Sequence, residues 1–238
     1  MHLLQVFFTI LSLTIIPYKT NLVNTKTSNY AKSVVISLQN CYTKSMNLYD
    51  FDKTIYNGEC SLRLYLFVLS RHPKLWWHTF KAGFYGVLRG LNIINLTTFK
   101  QKFLTFMSHI KDPQKEIELF WDKEQKNIFK WYLEQKKPDD VICSASPLYI
   151  IEPILKRINP TAKLVCSDID MITSRIENGE VNCKGEEKVR RLAELGLTSF
   201  ENGYSDSKSD VPMLKLCKNK FHITKKGKVE PFNPKYFE

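Results

Sequence analysis

Residues 47–55 read NLYDFDKTI, and no other run in the chain limits the possible folds as much. An apolar lead-in ends in two carboxylates, Asp50 and Asp52, separated by one aromatic residue, with Thr54 two positions on. In an extended strand, residues two apart point to the same face. Where such a strand opens into a loop, both carboxylates can meet one ligand. One acid can then attack while the other carries protons, and both lie within reach of a hard cation. The bland alternative is an acidic pair on a solvated strand end.

Three further stretches sharpen the reading. Residues 141–147, VICSASP, form an apolar strand ending in small hydroxyl residues. Residues 185–192, GEEKVRRL, open a helix with Lys188 one turn in. Residues 204–214, YSDSKSDVPML, set Asp206 and Asp210 four apart beside an apolar strand end. Each has an ordinary explanation when taken alone. Lys188 reads as a solvated helix lysine, Asp206 and Asp210 as turn and cap residues, and Ser144 and Ser146 as caps of a helix beginning near Pro147. The order acid pair, hydroxyl, lysine, acid pair sets them apart.

Apolar spacing predicts strands over 46–50, 141–143, 163–166, 200–204 and 221–224. It predicts helices over 61–70, 97–110, 113–135, 147–158, 186–195 and 211–217, with Gly196 closing the one before it. Asn178-Gly179 marks a hairpin within 171–182. Strands alternating with helices imply a parallel sheet covered on both faces, with ligands at the carboxyl ends of the strands, where all four motifs fall. Residues 57–137 read as an inserted helical cap, between core segments 46–56 and 138–238.

The four motifs together resemble the haloacid dehalogenase superfamily of phosphatases, in its phosphoserine-phosphatase-like branch, over residues 46–232. The resemblance implies an α/β fold, a Rossmann-like doubly wound parallel sheet with an inserted α-helical cap. It implies a phosphomonoester substrate, Mg²⁺ and an aspartyl-phosphate intermediate. Asp50 matches the nucleophile, Asp52 the acid and base, and Thr54 a supporting hydroxyl on the phosphate side. Ser144, the Ala145 amide and Lys188 match the phosphate-binding groups. Asp50, Asp206 and the Asp52 carbonyl match the metal ligands, with Asp210 orienting a metal water or Lys188. Two departures stand out: Lys53 occupies a position where many members have Gly, and Ser144-Ala145-Ser146 replaces Ser-Gly-Gly. Glu59 falls where phosphoserine phosphatases carry an acid that meets the substrate amine, and is a selectivity candidate. The SASP turn, GEEKV and ENGYSDSKSDVPMLKLC are also similar to the bacterial phosphatidylglycerophosphatase C group, which implies a lipid phosphate.

Charge bears on the partner. The net charge is +11, which favours an anionic partner. No aromatic RNA-binding motif, helix-turn-helix signal or zinc-finger spacing is present, so nucleic acid is not expected. Residues 60–110 contain no Asp or Glu, yet hold seven Lys or Arg together with Trp76, Trp77, Phe80, Phe84 and Tyr85. That composition suits peripheral contact with an anionic membrane, or equally a cap that packs its aromatics on itself. The leading expectation is therefore a lipid or other hydrophobic phosphomonoester. A soluble, phosphoserine-like substrate and a non-catalytic phosphate- or membrane-binding protein are the alternatives.

Six cysteines without a CxxC pair fit a reducing compartment, here the cytoplasm. The five histidines show no metal-ligand spacing. Residues 1–45 hold four Lys and no acid, with a largely apolar run over 3–16, short of the ~20 residues of a membrane span. They read as an extension from a misassigned start, with Met46 the working start, or as a weak anchor or an export signal.

Overall fold

The computed structural model describes residues 46–176 and 182–236. Among these, six strands form one sheet in the order β3-β2-β1-β4-β5-β6: β1 Asn47–Tyr49, β2 Val141–Pro147, β3 Lys163–Ser167, β4 Phe200–Ser205, β5 Cys217–Ile223 and β6 Val229–Pro231. The first five are parallel, and β6 returns antiparallel to β5. The helices are α1 Cys60–Arg71, α2 Trp76–Gly90, α3 Leu96–Leu104, α4 Pro113–Glu124, α5 Lys130–Gln135, α6 Leu148–Ile158, α7 Glu186–Glu194 and α8 Val211–Leu214. The α/β reading of the sequence holds. The Asn178-Gly179 hairpin lies outside the described residues, beyond one antiparallel bridge between Ile169 and Ile176.

Both faces of the sheet are covered, so the residues of β1 and β2 are mostly buried whichever side they face. Successive residues still part to opposite sides. Tyr49 and Ile142 enter a buried cluster with α1, α4 and α6. Leu48, Val141 and Cys143 enter a second with Leu192 of α7 and Met213 and Leu214 of α8. The register sets a row of rings across three strands: Tyr49 pairs with Tyr204, and Tyr204 with Phe221. Tyr49 and Tyr204 stack at 4.7 Å and Tyr204 and Phe221 at 5.0 Å, with Tyr132 of α5 edge-on to Tyr49 at 5.2 Å. Such cross-strand aromatic pairs fix register as well as burying area.

Helices α1–α5 lie between β1 and β2, and several of their residues share the first cluster with the sheet. Trp121 of α4 sits edge-on to Phe51 at 6.1 Å and donates through Nε1 to the Ile150 carbonyl at 2.7 Å. The spacing predicted one helix over 113–135, but it breaks at 125–129. There the chain pairs with the start of the insert: Asn57 N donates to Asn127 O, and Phe129 N to Ile55 O, both at 2.9 Å. The helix expected over 211–217 ends at Leu214, and Cys217 opens β5. Pairing with β4 decides this. Gly203 leaves room for the side chains at this junction: a Cβ on it would lie 2.5 Å from Cys217 Sγ and 2.8 Å from Leu214 Cδ2.

Helix α7 is held on β3 by Arg191, whose Nη1 donates to the Cys166 carbonyl at 2.7 Å. Glu187 clamps both Arg190 and Arg191 and favours the positive end of the helix dipole. The Arg190 hydrogen bonds, then Arg191, hold its carboxyl down to about 2. A folded value below the unfolded one means stabilisation that is present above about pH 4.5 and lost as the pH falls toward 2. Glu187→Gln is therefore expected to cost roughly 1–2 kcal/mol near neutral pH. Urea midpoints of the two proteins should converge in acid; a difference independent of pH would show that the carboxylate charge is not responsible.

Candidate active site

A cavity of about 370 Å³ opens where β1, β2 and β4 end. It gathers Asp50 and Asp52 after β1, Ser144 and Ala145 on β2, Lys188 on α7, and Asp206 and Asp210 after β4. All but one of the sequence-predicted site residues line it, Glu59 included. The exception is Thr54, which is fully buried and stands behind the wall. Its hydroxyl donates to Asp50 Oδ2 at 3.4 Å and accepts from the Asp206 amide at 3.0 Å. It ties the two acidic loops together and does not face the cavity, which corrects its expected place among phosphate contacts.

The centre of the site is Lys188, 1% exposed. Gly185 starts its helix at φ +61°, a left-handed conformation that a side chain disfavours. The next turn then aims Lys188 inward. Its Nζ lies 2.7 Å from Asp50 Oδ1 and 2.9 Å from Asp210 Oδ1. Burial works against the cation, but Asp50 and Asp210 outweigh it and hold Lys188 above its ordinary range. Burial likewise pushes the Asp50 carboxyl up, and Lys188 pulls it back. Asp210 also accepts from Ser205 Oγ at 2.7 Å through Oδ2, so both of its oxygens are engaged.

Asp52 faces the start of α1. Its Oδ1 accepts from the Cys60 amide at 2.7 Å, and its Oδ2 from Ser146 Oγ at 2.5 Å. Burial raises its carboxyl above the usual range, against these hydrogen bonds. Burial also pushes Asp206 up to about 6, opposed by Lys53.

Five carboxylates and four lysines line the cavity. The carboxylates thus outnumber the cations at the place where an anionic phosphate would sit, and a divalent cation would reverse that imbalance. No cage of three or more carboxylate, imidazole or thiolate groups exists among the described residues. Mg²⁺ needs none: it keeps several waters and takes one or two carboxylates beside phosphate oxygens. Asp206 suits this use, since no other described residue donates a hydrogen bond to its carboxylate. Among the described residues, no backbone amide donates to the Asp52 carbonyl either.

Sequence reasoning missed several neighbours. Lys100 reaches in from α3, donating to the Ala145 carbonyl and to Asn182 Oδ1, each at 2.9 Å. Lys184 lines the rim. Ser146, read as a helix cap, bonds Asp52 instead. Lys53, flagged only as a departure from Gly, takes φ +58° and pairs with Glu59.

The sequence profile of the haloacid dehalogenase-like hydrolases matches residues 48–215. No curated protein matches the chain. Among solved structures, a protein of unknown function from Bordetella pertussis Tohama I is similar at a TM-score of 0.60 and 17% identity, over 75% of this chain and 89% of its own. That likeness speaks to the fold. A phosphoserine phosphohydrolase-like protein from Francisella tularensis subsp. tularensis SCHU S4 gives a TM-score of 0.48 at 18% identity, over 74% of this chain and 85% of its own. A HAD family hydrolase from Salmonella enterica subsp. enterica serovar Typhi gives 0.49 at 11%, over 85% and 73%.

Proposed function

The chain belongs to the haloacid dehalogenase-like hydrolases, and from that premise we propose that it hydrolyses phosphate monoesters through a phosphorylated Asp50. The observation that carries this reading is the buried Lys188 ammonium held between Asp50 and Asp210 at the base of the cavity. Asp50 attacks phosphorus in line, and the bond to the leaving alcohol breaks as the aspartyl-phosphate forms. Asp52 gives its proton to that leaving oxygen, which its raised proton affinity favours. As a carboxylate it then takes a proton from the water that attacks phosphorus, releasing inorganic phosphate and restoring Asp50. Lys188 and the Ser144 hydroxyl hold the transferring oxygens. Asp210 orients Lys188. Asp50, Asp206 and the Asp52 carbonyl would hold Mg²⁺, which would offset the repulsion between the carboxylates and the phosphate.

For the substrate we favour a lipid or other hydrophobic phosphomonoester of the phosphatidylglycerophosphate kind. The α3 residue Leu96 lines the cavity, and α2 beside it is aromatic and free of acids. Glu59 supports the second reading, a small amine-bearing phosphate, but Lys53 already pairs with it.

The test is phosphate release from p-nitrophenyl phosphate, phosphoserine, sugar phosphates, nucleotides and phosphatidylglycerophosphate in mixed micelles. Chelation is expected to lower hydrolysis at least ~100-fold and added Mg²⁺ to restore it, with the highest kcat/KM on the lipid. Phosphoserine as the best substrate would favour the second reading. No hydrolysis of any ester would leave a non-catalytic binding protein.

A further inference from the structure

Helix α2 is inside out. A surface helix ordinarily buries its apolar stripe and wets the opposite face. In α2 the one buried residue is His78. Trp76, Phe80, Phe84, Val87 and, just past its end, Leu91 recur three or four residues apart on one face. They are 58%, 80%, 61%, 61% and 64% exposed. A contiguous apolar stripe of this kind marks an interaction surface, unlike apolar residues scattered singly. The charges beside it have one sign. Residues 60–110 hold no carboxylate, and Lys74 and Lys81 have no acidic partner among the described residues. Lys81 instead lies 6.0 Å from the Trp77 ring centroid.

We propose that α2 docks on an anionic phospholipid bilayer. Its aromatic stripe enters the interfacial zone while Lys74 and Lys81 meet the head groups. Aromatic rings with flanking basic residues suit that zone, where one end of each side chain is apolar and the other wet. The charge pattern argues against a second copy of the chain, because a symmetric contact would set one basic face against another. No described helix is long and apolar enough to cross a membrane.

The helix that follows α2 reaches the cavity. Helix α2 packs on α3, which supplies Leu96 and Lys100 to the cavity wall. Docking therefore brings the cavity to the lipid surface, a consequence for substrate that rests on the phosphatase reading; the docking itself does not.

The test uses full-length protein, sedimented with vesicles of phosphatidylcholine alone or mixed with phosphatidylglycerol. Wild type is expected to bind the mixed vesicles, and less so at high salt. Phe80→Ser with Phe84→Ser should weaken that binding at least ~10-fold, and Lys74→Gln with Lys81→Gln should remove its dependence on phosphatidylglycerol. Hydrolysis of soluble p-nitrophenyl phosphate should be unchanged in both. Absence of binding by wild type, or equal binding by the Phe80/Phe84 variant, overturns the proposal. So does a wild-type dimer, seen by light scattering, that this variant turns into a monomer without any vesicle binding. Vesicle binding lost in the variant from a wild type that hydrolyses nothing supports docking and removes the phosphatase reading alone.

Discussion

Asp50→Asn is expected to end turnover, with a fall in kcat of roughly 10⁴-fold or more, while the fold survives. An amide has nearly the shape of a carboxylate but cannot accept the phosphoryl group under these conditions. The buried Lys188 ammonium is not orphaned by the change, because Asp210 remains 2.9 Å away. The Asp50 amide nitrogen still bonds Tyr204 O, since that contact belongs to the backbone. Two measurements together make the case. Steady-state hydrolysis should vanish, and acid quenching with labelled substrate should leave label on wild type and none on the variant. Thermal unfolding should move little. A variant that turns over within tenfold of wild type would show that another group attacks phosphorus.

Lys188→Met is expected to damage both stability and activity. Its ammonium is the shared partner of two buried carboxylates. Without it Asp50 and Asp210 face each other uncompensated, and breaking a buried pair of this kind costs about 3–5 kcal/mol. The pH dependence follows from the sign of the shift. Burial pushes the Asp50 carboxyl above its unfolded value, and the opposing pull of Lys188 is gone, so the folded variant binds more protons than the unfolded chain. Its stability should therefore rise as the pH drops from neutral toward the usual carboxylate range. Adding Asp210→Asn should recover much of the stability and none of the activity, which separates the two roles of the lysine. A single variant as stable as wild type, with kcat within tenfold, would make Lys188 a bystander.

The site was legible in the sequence to the extent that its parts sit on strand ends. β1, β2 and β4 are short strands that lead directly into the residues assigned to the chemistry, and a parallel sheet brings such ends together. The order of the four motifs thus carried most of the cavity. What escaped depends on distance along the chain. Lys100 meets Ala145 from 45 residues away, and no local pattern says which lysine of a basic helix turns inward. Ser146 carries the signature of a helix cap, and only the fold brings Asp52 to it. The run VPMLKLC is equally good as helix or strand by its apolar spacing; pairing with β4 divides it. Three residues are too few for β6 to announce itself. Lys53 was visible as an oddity, but its left-handed backbone belongs to the tight turn closed by its amide on the Gly58 carbonyl at 3.1 Å.

The Cys60 amide that holds Asp52 is the first of helix α1. The acid thus takes one of its hydrogen bonds from an element belonging to the insert, while its chain position belongs to the sheet. Any displacement of α1 away from the sheet would withdraw that donor, which favours the carboxylate, and would admit water, which relieves the burial that holds the Asp52 carboxyl up. On the proposed chemistry, the seating of the insert therefore bears directly on the acid that starts and completes the cycle. Mechanical position and acidity are thereby linked at one residue, with no separate messenger between them.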